Sequence, residues 1–165
     1  MNLVVAFIED RRLGLAAIGA LVIVAGSVLP WIQVAHPLGV ATGYGLQDDG
    51  KITLLLGAGA LGLIVAHARL RQRDLALAAG LFGLGAAAFA GAFVADLHPH
   101  AALVIARLLA GDQSPIDPGQ VGTFAGRAAA GIYVVFAGAA LLVVSAVGLM
   151  LRARGTTEPA PRSSS

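Results

Sequence analysis

Apolar residues run uninterrupted by Asp, Glu, Lys or Arg through four stretches of the chain: Leu13–Val34, Ile52–Ala68, Leu75–Ala95 and Ala129–Leu151. All four fall within the roughly 17–25 residues that an α-helix needs to cross a bilayer. The second is near the lower limit, and Arg69 at its end can lengthen it by snorkelling. A soluble surface helix pairs its apolar stripe with a charged face, and none of these stretches has one. The pattern predicts an all-α integral membrane fold, a four-transmembrane-helix bundle over residues 1–154. Residues 155–165 are rich in Pro, Ser and Thr and read as a disordered cytoplasmic tail. The first stretch exceeds the roughly 7–15-residue core of a cleavable signal. It continues through Pro30 to Trp31, so it reads as a retained helix.

Between the stretches the period changes. Ile32, Val34, Val40, Thr42 and Tyr44 alternate at spacing two on either side of His36-Pro37-Leu38-Gly39, which predicts a small extracytoplasmic β-hairpin. A lone hairpin is marginal in water and needs the helix ends as support. Asp48 and Asp49 are placed to cap the second helix. After His98-Pro99-His100, the apolar segment 101–110, broken only by Arg107, predicts a short loop helix. Residues 111–120 carry two prolines and two glycines and read as a turn, with the last helix beginning near Pro118.

Charge sets the orientation. Arg11, Arg12, Arg69, Arg71, Arg73, Arg152, Arg154 and Arg162 lie on one side of a four-span arrangement, against Lys51, Arg107 and Arg127 on the other. Basic residues concentrate on cytoplasmic segments. Both termini and the middle connection are therefore expected in the cytoplasm of a plasma (inner) membrane protein. Trp31 and, at the opposite face, Arg69 and Arg152 are the expected interface anchors. Only 12% of residues are charged and 58% are hydrophobic. Soluble domains carry about 25% charged residues, so there is too little charge here to cover a water-facing surface. No basic stripe interleaved with aromatics speaks for nucleic acid. With no cysteine, thiolate chemistry and disulfides are excluded. One lysine against ten arginines reads as the codon bias of a GC-rich genome.

Helices in lipid associate through small residues. Ala79, Gly83, Ala87 and Gly91 on the third helix and Ala58, Gly62 and Ala66 on the second recur at spacing four, and Gly131, Gly138 and Ser145 on the fourth at spacing seven. These are the predicted packing faces. Candidate chemistry is sparse. Gly57, Gly59 and Gly62 match GxGxxG, but inside an apolar span, without the strand and the acidic partner that dinucleotide binding requires. Asp96, His98 and His100, with His36 on the same side, are possible zinc or copper ligands at a spacing that matches no strong metal signature. No nucleophile has a base beside it, and no ionisable residue lies deep in a span, as ion coupling would require. The expectation is a non-enzymatic chain without cofactors. Its partners would be the lipid bilayer and either a membrane-protein partner or a second copy.

Leu29-Pro30-Trp31 closing the first span, Gly45-Leu46 and Asp49-Gly50 before the second, and Gly131-Ile132-Tyr133 followed by Gly138 in the last resemble small four-span membrane proteins of actinobacterial type. The resemblance covers most of the chain. It implies topology and carries no assigned activity. A looser likeness in architecture is to claudin-like tetraspan proteins, which place a tryptophan and a Gly-Leu pair in a β-rich first outer loop. This chain lacks their loop cysteine pair and second tryptophan. The expected role is an interaction or accessory component of a membrane assembly. A transporter or channel for an apolar or lipid-like solute, and an extracytoplasmic metal-binding protein, are the alternatives.

Overall fold

The computed structural model describes residues 10–36, 39–47, 50–97, 100, 101, 103–105 and 126–155. Four long helices dominate: α1 (Arg11–Val28), α2 (Gly50–Leu70), α3 (Arg73–Ala95) and α4 (Ala130–Gly155). Each is long and apolar enough to cross a membrane. At about 1.5 Å per residue, the 18 residues of α1 span about 27 Å. Neighbours in sequence are neighbours in space, and α4 returns to pack most extensively on α1, so the helices form a closed ring. Their outward faces are apolar: Leu55 is 70% exposed and Val144 71%.

Local chemistry sets the helix ends. The Asp10 side chain accepts a hydrogen bond from the Arg12 amide at 3.1 Å and caps α1. The first span is shorter than its apolar run. Pro30 offers no amide and forces the residue before it out of the helical region. Leu29 is extended, at φ −74° and ψ 167°, and residues 30–36 become a strand. The Thr53 hydroxyl donates to the Gly50 carbonyl at 2.9 Å in the first turn of α2. Asp48 and Asp49, the expected caps, lie outside the described residues.

The expected hairpin is present but belongs to a larger sheet. β1 (Pro30–His36) pairs antiparallel with β2 (Gly39–Tyr44), and on its other side with β3 (Gly126–Ala128), in the order β2-β1-β3. β3 corrects the expectation that the last helix starts near Pro118. Ile32 faces Ala128, Gln33 faces Arg127 and Val34 faces Gly126, and α4 begins only at Ala130. The two apolar sets of the hairpin also face opposite ways. Ile32 and Val34 are buried, whereas Val40 and Tyr44 are 66% and 48% exposed, because Ile32 pairs with Gly43 and Val34 with Ala41. The small residues make room for what lies beneath. A Cβ on Gly43 would stand 2.9 Å from a Val104 methyl, and one on Gly126 3.0 Å from the Ala101 methyl. The described part of the expected loop helix, residues 100, 101 and 103–105, is helical and lies under this sheet. The remainder of that segment, residues 1–9 and the tail from residue 156 are outside the described residues.

Glycines bring α1 and α4 into backbone contact. A Cβ on Gly19 would lie 2.7 Å from the Leu142 amide nitrogen, and one on Gly138 2.8 Å from the Gly19 carbonyl oxygen. Seven residues along each helix the contact repeats: a Cβ on Gly26 would lie 2.8 Å from the Val135 amide nitrogen, and one on Gly131 2.8 Å from the Gly26 carbonyl oxygen. From this seam Ile23 reaches towards Gly57 of α2, and Leu142 towards Gly83 of α3. Both side chains are fully buried between the helices.

Candidate functional site

Polar and aromatic contacts converge where the sheet meets the bundle, and Trp31 is their centre. The β1–β2 register shifts between Pro30 and Ile32, leaving Trp31 as the extra residue of a β-bulge. Bulges re-aim a side chain, which is why Trp31 and Ile32 are both buried although adjacent in a strand. The indole Nε1–H donates to the Gly26 carbonyl at 3.0 Å. That carbonyl belongs to the last turn of α1, whose acceptors have no intrahelical partner. The ring meets Phe93 of α3 edge-on, centroids 5.1 Å apart and planes at 80°. Phe93 in turn stacks on His100 at 4.2 Å. Gly45 and Gly131 leave space for the indole: a Cβ on either would come within 2.7 Å of it. The Trp31 carbonyl accepts from the Ala129 amide at 2.8 Å, tying the start of α4 to the same point. Trp31 thus stands at the helix end expected for an interface anchor, but at 1% exposure its ring faces protein rather than lipid.

One turn deeper, Ser27 and Thr53 join α1 to α2. Their hydroxyl oxygens are 2.8 Å apart, Ser27 Oγ lies 2.8 Å from the Ile23 carbonyl oxygen, and both side chains are fully buried. With the Thr53–Gly50 contact there are three short contacts but only two hydroxyl protons, so no more than two of the three are hydrogen bonds at once. Both hydroxyls are engaged with backbone carbonyls of their own helices and with each other. We expect Thr53→Val to cost about 1 kcal/mol. The double variant Ser27→Ala/Thr53→Val should cost less than the sum of the two single changes, as read by unfolding in detergent. Full additivity would show that the two hydroxyls do not interact.

The other expected residues fall into three groups. Gly131, Gly138 and Ser145 are buried on α4, as are Ala79 and Gly83 on α3, while Ala87 and Gly91 are half-buried. The stripe on α2 faces elsewhere: Ala58 and Gly62 are exposed, Ala66 is half-buried, and a Cβ on Gly62 would meet nothing within 4 Å. The buried face of α2 is instead Gly50, Thr53, Gly57, Ala60, Ile64 and Ala68. Of the metal candidates, Asp96 is exposed at the end of α3 and His100 lies in the stack on Phe93. His98 and the His36 side chain are outside the described residues, among which no group of three or more His, Cys, Asp or Glu could hold an ion. Arg69 is exposed at the end of α2; the Arg152 side chain is outside the described residues.

Sequence reasoning missed Gly19, Gly26, Thr53 and Arg12. Gly19 and Gly26 carry the same spacing of seven as Gly131 and Gly138, so that signal was present in the chain. Arg12 Nη1 donates to the Gly148 carbonyl and ties the start of α1 to α4, a contact with no local sequence signature.

Fold and site together define a ring of four membrane-length helices closed at one end by a three-stranded sheet hung on a buried tryptophan. No family model matches the chain, and neither a curated protein nor a solved structure matches it.

Proposed function

We propose that this chain is a non-enzymatic, multi-pass protein of the plasma (inner) membrane, with both termini cytoplasmic, serving as an interaction or accessory component of a membrane assembly. The observation that carries the proposal is the outward face of the sheet. Gln33, Ala35, Val40, Tyr44 and Arg127 are exposed there, on strands fixed to the bundle through Trp31. The face carries a tyrosine, an arginine and an aliphatic residue spread over its three strands, and aromatic residues and arginine are residue types that protein interfaces favour. The apolar outer faces of the four helices and the arginine bias support the membrane and its orientation.

Transport of an apolar solute draws less support, since Ile23 and Leu142 are fully buried and fill space between the helices. The test is gentle extraction of a C-terminally tagged chain from its native membrane, followed by mass spectrometry. The accessory reading expects a stoichiometric protein partner that is lost from the Val40→Glu/Tyr44→Ala variant. A chain that emerges alone, carrying a particular lipid or solute, would contradict that reading and favour transport.

A further inference from the structure

We infer that the α2–α3 turn binds the phosphodiester headgroup of an anionic phospholipid through Arg69 and Arg71, in the cytoplasmic headgroup layer. The inference rests on the four-span reading above. The turn is short and fixed. The Arg71 amide donates to the His67 carbonyl at 2.8 Å, His67 Nδ1–H donates to the Gln72 carbonyl at 2.7 Å, and the Leu75 amide donates to the same carbonyl at 3.3 Å. Within it Arg71 has φ 56° and is the only non-glycine at positive φ among the described residues. That is the left-handed position after a helix which glycine or asparagine normally fills. Arginine gains nothing conformationally there, so an exposed arginine held in that conformation points to a use for its side chain.

The neighbourhood defines that use. Arg69, in the last turn of α2, and Arg71, in the connection to α3, are both exposed and two residues apart, between two membrane-length helices. A bilayer places its phosphates at that depth. A guanidinium pairs with a phosphate through two parallel hydrogen bonds, which an ammonium cannot reproduce. Asp74 is the one acidic residue in the first turn of α3, where a carboxylate also meets the positive end of the helix dipole. In the four-span arrangement, the sequence gives this side eight basic residues against four acidic ones, and the sheet side three against five. That contrast selects an anionic lipid over a choline lipid, whose headgroup carries its own cation.

The test is native mass spectrometry of the delipidated full chain in detergent, titrated with equal amounts of phosphatidylglycerol and phosphatidylcholine. The variants are Arg69→Gln, Arg71→Gly and, at the opposite end, Lys51→Gln. Glycine accepts the positive φ, so Arg71→Gly removes the guanidinium while leaving the turn intact. The wild-type chain should retain phosphatidylglycerol preferentially, and each arginine variant should lower that preference up to about five-fold, with Lys51→Gln unchanged. An unaltered preference in both arginine variants, or an equal loss in Lys51→Gln, would overturn the site. Failure of the wild-type chain to float with vesicles of either lipid would instead remove the four-span reading on which it rests.

Discussion

Gly138→Ala should destabilise the folded chain by about 1–3 kcal/mol, and Gly138→Val by more, although both add only apolar atoms to an apolar helix. The new Cβ would stand 2.8 Å from the Gly19 carbonyl oxygen and 2.8 Å from the Ile23 amide nitrogen. Both are backbone atoms of α1, so no side chain can rotate away and the two helices must separate. Separation would also loosen Ile23, Val135 and Leu142, all fully buried beside this seam. Gly62→Ala is the control, with the same chemistry in open space. It should be neutral or stabilising by up to about 1 kcal/mol, since alanine restricts the unfolded chain and favours helix. In one detergent the unfolding midpoint of Gly138→Ala should therefore fall while that of Gly62→Ala stays unchanged or rises. Equal shifts would show that α1 and α4 do not meet through their backbones.

Trp31→Ala should cost about 3–5 kcal/mol, the range for emptying a buried tryptophan site. Several contacts end at this one ring: the hydrogen bond to Gly26, the edge-on packing with Phe93, and the close approach of Gly45 and Gly131. Trp31→Phe separates these contributions. It keeps an aromatic ring against Phe93 but leaves the Gly26 carbonyl without its donor, which should cost about 1–3 kcal/mol. The sheet should suffer along with the bundle, because the Trp31 carbonyl also holds Ala129 at the start of α4. Amide exchange should therefore rise in β1 and β3 of the alanine variant before it rises in α2. A wild-type exchange pattern in that variant would contradict the role assigned to the indole.

Much of this architecture was legible in the chain, for identifiable physical reasons. A long uncharged run is a one-dimensional signal, and all four helices were found from it. Their ends were less legible where apolar character outlasts the helix. The first run continues to Val34, but Pro30 ends the helix at Val28. β3 has three residues, Gly126, Arg127 and Ala128, and no alternation of its own; only pairing with β1 makes it a strand. The packing faces show the same division. On α4, Gly131 and Gly138 recur at a spacing of seven. On α2, alanine and glycine recur at several spacings, and the choice between Gly57–Ala60–Ile64 and Ala58–Gly62–Ala66 is made by the helices around it. Trp31 could be placed at a helix end from sequence. That a bulge turns it into the protein is a matter of register, which is set by the partner strand.

The central claim, four crossings with the sheet outside and the α2–α3 turn in the cytoplasm, is tested most directly by chemical access. The chain has no cysteine of its own, so each introduced thiol reports alone. Val40 is 66% exposed on the sheet, and Gln72 is exposed in the turn with its side chain making no capping hydrogen bond. Intact cells carrying Val40→Cys should react with a membrane-impermeant maleimide, while those carrying Gln72→Cys should react only after permeabilisation. Equal labelling of both thiols in intact cells, or the reverse pattern, would contradict the account.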